Sequence, residues 1–397
     1  MKTYPALVSL LFMILSFFCI QACKKAPPVK LQGQIYIRFN DRIIELAESD
    51  DPSGYSMNKV AESTYFGSVS PDGNYLLFSN DSATFLRNLA AKSITTILNY
   101  PINNVCWSPD SRMFCYKTYW NYLDRTGPSS ELFVYQVSDN TFVPLYRGRI
   151  ETYMGAGSVT ESVDGMVWLS AKELLFQCGS FFPDRINSNE LWRDGHALRA
   201  ENTVIGTIGE QPLQPLNSMI CTNRLWVRGI AVDGSFLLYS KSETAYDPHF
   251  IDHISNQYFI ADKWTLSHSD ITPVDILQGA NIKEIDCSPY EKVGIITGTS
   301  ILYYIKNGEW NDKILIFTDP VNLKKKLKRS IEYLASNEFC FIMDPDEKLI
   351  AYFDQSGLNI YEISSKRKIV IHEDFPEYRI NEYSSPSFGE LLGWSKH

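Results

Sequence analysis

Few side chains here could do acid–base or metal chemistry, and they are dispersed. Of six histidines, His249 and His253 share one segment, with Asp252 between them. A metal site needs three or more ligands converging on one point, and the other histidines are scattered, so neither metal nor cofactor is expected. No Gly-x-Ser-x-Gly turn presents a serine nucleophile, and no catalytic residue is assigned. Aromatics do cluster. The segments 117–130 ("KTYWNYLDRTGPSS"), 179–189 ("GSFFPDRINSN") and 241–256 ("KSETAYDPHFIDHISN") carry Tyr119, Trp120, Tyr122, Phe181, Phe182, Tyr246, His249 and Phe250. Solvated loops rarely hold so many rings. Aromatic side chains offer large contact area at low entropy cost and mark recognition surfaces. The other reading is that they pack onto their own elements.

One cysteine sits where its thiol has a use. The chain opens "MKTYPALVSLLFMILSFFCIQACKK". Lys2 gives a positive start, and the apolar run 6–20 has signal-peptide length, short for a bilayer span. The run ends at Ile20-Gln21-Ala22-Cys23, which resembles a bacterial lipobox, with Gln21 bulkier than the pattern's small residue. The resemblance implies that Cys23 becomes the first mature residue and carries a diacylglycerol. Each buried methylene adds roughly 0.8 kcal/mol, so several acyl chains anchor permanently. Residues 1–22 are then a lipoprotein signal peptide and 23–33 a lipidated, Pro-bearing tether. The expected location is the bacterial cell envelope, periplasmic or surface-exposed. A plain secretory signal with an incidental cysteine is the alternative.

Behind these residues lies a repeat. "SVSPDGNYLLFS" (68–79), "VCWSPDSRMFCY" (105–116), "GIAVDGSFLLYS" (229–240), "IDCSPYEKVGII" (285–296) and "FIMDPDEKLIAY" (341–352) each read as strand, tight turn, strand, with "VWLSAKELLFQC" (167–178) a degenerate copy. Ser-Pro-Asp-Gly suits a type I turn, with Pro fixing φ at the second position. A second hairpin of alternating character follows each copy, for example "TFLRNLAAKSITTIL", "ELFVYQVSDNTFVPLY", "SILYYIKNGEWNDKILIF" and "LNIYEISSKRKIVIH". Four strands per unit of about 40 to 60 residues is a propeller blade. The aromatic content of 13% agrees with β structure.

The two ends of the chain complete the pattern. "SSPSFGELLGWS" (384–395) reads as a first hairpin, with its turn at Pro386–Gly389 and Leu391 to Trp394 as second strand. "QIYIRFNDRIIELA" (34–47) reads as a second hairpin lacking a first. Joined, they make one blade, and a ring so closed leaves only short, protected edges. The expected fold is all-β, a seven-bladed β-propeller of four-stranded antiparallel blades over 34–397, closed by N- and C-terminal strands sharing one blade. In such a ring the three aromatic segments are second-to-third strand loops of consecutive blades, opening on one face.

The Ser-Pro-Asp-Gly turn followed by an aliphatic-aromatic strand resembles the WD40-like repeat of TolB-type proteins. That resemblance is specific for fold and weak for function. TolB-type proteins bind envelope proteins through such a ring, but they carry an extra N-terminal domain and six blades, so their partner does not transfer. Propeller-bearing peptidases share the repeat type, but no α/β-hydrolase domain is legible here. Oligogalacturonate lyases share it too, with a His-rich metal site at the ring centre. The expected function is a lipid-anchored, non-enzymatic protein-binding or scaffold module with an envelope protein as partner. The alternative is a glycan-binding or carbohydrate-active, lyase-like propeller. A net charge of −9 argues against nucleic acid.

Two smaller features remain. Cys106 and Cys115 flank a hairpin turn symmetrically, so they either bridge across the strands or pack as two free thiols; Cys178, Cys221, Cys287 and Cys340 read as small core residues. The basic run "LKKKLKRS" (323–330) falls in a connection between blades, as a solvated turn of helix or a patch for anionic headgroups.

Overall fold

The computed structural model describes residues 30–396 except 40, 51–53, 120–129, 148–149, 154–156, 182–200, 208–218, 221–224, 245–253, 264–276, 278, 286–291, 297–298, 307–311, 320–323, 332–340, 355–356, 366 and 372–389. Residues 1–29, Cys23 and the apolar run 6–20 among them, lie outside the described residues. Among those described, no helix is long and apolar enough to cross a membrane.

The chain is all-β, built of four-stranded antiparallel blades. β1 (Ile35–Phe39), β2 (Arg42–Glu48) and β3 (Tyr55–Ala61) share a sheet with the last strand, β29 (Glu390–Trp394). The next two sheets hold β4 (Thr64–Val69), β5 (Tyr75–Asn80), β6 (Thr84–Asn88) and β7 (Ile94–Leu98), then β8 (Asn103–Trp107), β9 (Met113–Tyr119), β10 (Ser130–Gln136) and β11 (Thr141–Arg147). A five-stranded sheet follows: β12 (Ile150–Tyr153), β13 (Gly157–Trp168), β14 (Glu173–Phe181), β15 (Glu201–Thr207) and β16 (Met219–Ile220). Its extra strand β12 precedes the hairpin that holds the degenerate copy at 167–178. Then come β17 (Leu225–Ile230), β18 (Leu237–Thr244), β19 (Ile254–Ala261) and β20 (Ile282–Ile285); β21 (Lys292–Ile295), β22 (Leu302–Lys306), β23 (Asp312–Asp319) and β24 (Lys324–Ile331); and β25 (Phe341–Met343), β26 (Leu349–Asp354), β27 (Gly357–Glu362) and β28 (Arg367–Val370).

The hydrophobic pattern follows position within a blade. Blades stack face to face, so a second strand is buried on both sides and reads as an unbroken apolar run: Leu76, Leu77 and Phe78 in β5, Leu237, Leu238 and Tyr239 in β18. Outer strands face a neighbour on one side only and alternate, as in β28. In three blades an aromatic of the second strand meets a ring directly opposite on the third. Phe78 stacks on Phe85, Tyr116 on Phe133 and Tyr239 on Phe259, with centroids 5.2, 5.3 and 5.3 Å apart. Such cross-strand pairs are worth about 0.5–1.5 kcal/mol beyond their area.

Buried apolar clusters join each sheet to the next. Leu77 and Phe114 share one across β4–β7 and β8–β11, and Leu132 and Trp168 share another with β12–β16. Leu169 meets Leu237, Leu238 meets Leu302, and Ile301 meets Ile350. On either side of the shared sheet, Ile37 packs with Ala351 and Ile43 with Leu76.

The turns behave as read. Gly73 N–H donates to Ser70 O (2.9 Å), Ser111 to Ser108 O (2.9 Å), Gly234 to Ala231 O (2.8 Å) and Glu347 to Asp344 O (2.9 Å). The donor in each has positive φ, between 59° and 71°, the conformation that favours glycine.

Three expectations need correction. β29 pairs with β1 as expected, Ile35 opposite Trp394 and Arg38 opposite Glu390, but it is a first strand, not a second. It lies at the end of its sheet, and the N-terminal segment supplies three strands rather than two. The bond Ser395 N–H to Gln34 O (2.8 Å) repeats Ser108 N–H to Met113 O (2.8 Å), so Trp394-Ser395 stands where Trp107-Ser108 does. The expected turn at Pro386–Gly389 lies outside the described residues. The copy at 285–296 slips in the same way. β20 ends one sheet and β21 starts the next, and the first-hairpin turn is Ile296 to Ile301, held by Thr299 Oγ1 to Ile296 O (2.9 Å). In consequence "LKKKLKRS" is no connection: Lys324–Ile331 is the outermost strand β24, laddered to β23.

A candidate recognition face and the comparisons

The three aromatic segments each join a second strand to a third. β9 ends at Tyr119 and β10 resumes at Ser130; β14 ends at Phe181 and β15 resumes at Glu201; β18 ends at Thr244 and β19 resumes at Ile254. These are consecutive sheets, and the three second strands are equivalent, so their C-terminal ends open on one side, opposite the Ser-Pro-Asp-Gly turns. The other second-to-third connections are short, at 81–83 and 355–356 for example.

Tyr119 and Phe181 are strand residues rather than loop residues: Tyr119 pairs with Ser130, and Phe181 with Thr160. Trp120, Tyr122, Phe182, Tyr246, His249 and Phe250 lie outside the described residues, as do Asp252 and His253. Among the described residues no group of three His, Cys, Asp or Glu could hold a metal ion.

A polar cluster that the sequence did not flag joins Tyr100 to Tyr116 of β9. Tyr100, in the connection between two sheets, is 38% exposed, and its hydroxyl lies 3.2 Å from that of buried Tyr116. Glu131, also buried, adds its negative charge nearby. Burial first, then the Tyr100 hydrogen bond and surrounding charge, push the Tyr116 phenol far above its ordinary range. The phenol therefore stays neutral and can exchange hydrogen bonds but not protons near pH 7. The aromatic next to Pro101 in "LNYPINN" was the available signal.

Cys106 and Cys115 do face each other in the ladder, but both are free thiols. Ser108 and Met113 form a hydrogen-bonded pair. Counting back two residues along the ladder makes Cys106 and Cys115 another. Side chains of such wide pairs stand further apart than disulfide geometry favours. The Cys115 thiol lies 3.5 Å from Cys106 O and 3.8 Å from Met166 Sδ in the next sheet, and burial first, then the Cys106 side chain, pushes its pKa up.

No family model matches the sequence, and no curated protein matches it. Solved structures do. Tricorn protease aligns over 88% of this chain at 8% identity and a TM-score of 0.53. The propeller domain of the trilobed protease from Pyrococcus furiosus aligns over 87% at 12% identity and a TM-score of 0.50, covering 96% of that domain. The fold is that of a β-propeller. TolB from Acinetobacter baumannii also aligns, over 77% at 13% identity, at a TM-score of 0.37 too loose to carry more. This propeller spans 34% of the tricorn protease chain and 65% of TolB. The Pyrococcus furiosus domain has an open velcro topology; in this propeller β29 and β1 are laddered together.

Proposed function

We propose that the protein is a lipid-anchored, seven-bladed propeller of the bacterial envelope that binds a protein partner through the face bearing the three long loops, without catalysis of its own. Seven blades are supported by the sheets and by the apolar clusters linking each to the next, the shared sheet included. Anchoring through Cys23 is supported by the lipobox-like run, and the envelope location follows from it.

The observation that carries the binding reading is that three long, aromatic-rich segments leave the equivalent ends of β9, β14 and β18 in consecutive sheets. A propeller core positions such loops rigidly, and clustered rings are the usual anchors of an interface. The test replaces Trp120, Phe182 and Phe250 together with Ser in the lipidated protein. Partner capture from detergent-solubilised membranes is expected to disappear while the melting temperature stays at the wild-type value. Capture that survives would place these rings in packing. Capture of glycan fragments, with no protein recovered, would favour the carbohydrate reading instead.

A further inference from the structure

Among the outermost strands of the sheets, β7 differs from the rest. Natural sheets discourage stray pairing at an edge strand with charge, proline or short length. The outermost strands of the other sheets each show one of these. Lys59 lies in β3, Pro144 in β11, Lys283 in β20, Lys328 in β24 and Arg367 in β28, while β16 is two residues long. β7 shows none of them. It reads Ile-Thr-Thr-Ile-Leu, without charge or proline and β-branched up to its last residue. Ile94, Thr95 and Thr96 are all exposed, Ile94 at 51%. β-branched residues of this kind favour paired strands.

The backbone of β7 fixes how a further strand would add. Asn88 N–H donates to Ser93 O (2.9 Å), which makes Asn88 and Ser93 a hydrogen-bonded pair. Two residues along the ladder, Leu86 and Thr95 form the next, so Thr95 turns its N–H and C=O towards β6. Ile94 and Thr96 lie opposite Arg87 and Phe85, in the alternate positions. Their N–H and C=O groups therefore point away from β6, along the open edge. Two such residues placed evenly about Thr95 make the edge its own complement. Rotation about a two-fold axis through Thr95, normal to the sheet, brings Ile94 of one copy opposite Thr96 of the other. Each such meeting makes a reciprocal pair of N–H to O bonds, and Thr95 lies opposite Thr95. Faces match as well, since 94 and 96 share one face and 95 takes the other. Charge also fits a second copy. A charged strand would set like against like near the axis, whereas β7 is neutral. The nearest charge in sequence, Lys92, precedes the strand and falls at opposite ends of the pair in the two copies.

We propose that β7 pairs edge to edge with β7 of a second copy, antiparallel about a two-fold axis at Thr95, so that two blades become one continuous sheet. The contact lies at the rim of the ring and leaves the face with the long loops open. It stands whether or not those loops bind a partner. One strand pair is a small interface, so the dimer forms in a concentration-dependent way.

Sedimentation of the intact protein in detergent tests this, with a monomer–dimer equilibrium as the expected result. Thr95→Cys tests the register. Side chains of a non-hydrogen-bonded pair stand closest together, within reach of a disulfide. Mild oxidation should therefore convert this variant to a covalent dimer. Ile94→Cys should not cross-link, because residue 94 meets residue 96 rather than itself, and the wild-type protein gives the background from native thiols. Thr95→Lys sets two cations together on the axis. Thr96→Pro removes an N–H that only the second copy would use. Both variants should sediment as monomers with the wild-type circular dichroism spectrum, and if the proline variant fails to fold, Thr95→Lys, at an exposed side chain, decides alone. The Trp120, Phe182 and Phe250 variant should dimerise as the wild type does. A wild-type protein that stays monomeric at every concentration measured overturns the proposal. So does a dimer that survives Thr95→Lys, or one that Ile94→Cys cross-links and Thr95→Cys does not.

Discussion

Trp394 donates its indole N–H to the carbonyl of Gln32, 2.8 Å away across 362 positions of sequence. The ring is buried in the same cluster as Leu31, Ile35 and Leu349. Glu390, on the same strand, pairs with Arg38 at 2.6 Å. The ends of the chain are thus fastened by backbone ladder, core and charge together. Trp394→Ala should cost about 3–5 kcal/mol, typical of emptying a large buried ring site, read from urea unfolding. Deleting 384–397 should expose the edge of β1 and lower the melting temperature further. A deletion that melts like wild type would refute closure by β29.

Gly393 provides a sharper test of the same contact. Its φ is +148°, and a Cβ there would lie 2.5 Å from Val69 Cβ on β4. Gly393→Ala should destabilise by about 1–3 kcal/mol through overpacking and backbone strain. Val69→Gly, which removes that Cβ, should recover part of that loss when combined with it, giving a favourable coupling in a double-mutant cycle. Additive losses would mean that β29 and β4 do not touch as described.

Buried phenols set the alkaline limit of stability. Burial pushes Tyr135 up to about 12 and raises Tyr36 and Tyr116 further. Above pH 10 the unfolded phenols ionise while the folded ones stay neutral, so the folded state binds more protons. Stability is therefore full below pH 10 and falls as pH rises from there towards the folded values. Tyr135→Phe should flatten the fall between pH 10 and 12 in melts recorded against pH. An unchanged slope would contradict the burial of this phenol.

Cys106 and Cys115 are expected to stay reduced even in an oxidising compartment, because their ladder position is a wide one. Thiol titration of denatured, unreduced protein should find all six cysteines beyond Cys23. A shortfall of two would mean that the pair bridges. In the folded state Cys115 should alkylate slowly, since burial keeps it as the unreactive thiol.

Cys23→Ser tests the anchor. The variant should leave the membrane fraction or stall with its leader uncleaved. Extraction of the wild-type protein without detergent would overturn lipidation.

The sequence by itself determined the repeat, the all-β architecture and the tight turns, because these rest on local chemistry. A turn such as Ser70 to Gly73 needs proline's fixed φ and glycine's tolerance of positive φ within four residues. A second strand such as Leu76 to Phe78 is apolar on both faces wherever blades stack. The pairing of 391–394 with 35–38 was legible as well, since a ring must complete its unfinished sheet. Strand position within a sheet was not. Ser-Pro occurs at 288–289 and 385–386 without opening a first hairpin, whereas the hairpin at Ile296 to Ile301 is closed by a threonine hydroxyl and carries no proline. Those two decoys moved the strands around β21 and β29 by one place and turned the basic strand β24 into an apparent connection. Only the long-range ladder decides position, because a strand's neighbours are chosen by backbone hydrogen bonds between segments far apart in the chain. The same holds for Asp344. In sequence it replaces a turn serine and looks interchangeable with it. Only the tertiary structure buries the residue, 1% exposed, and leaves its second oxygen without a hydrogen-bond partner among the described residues.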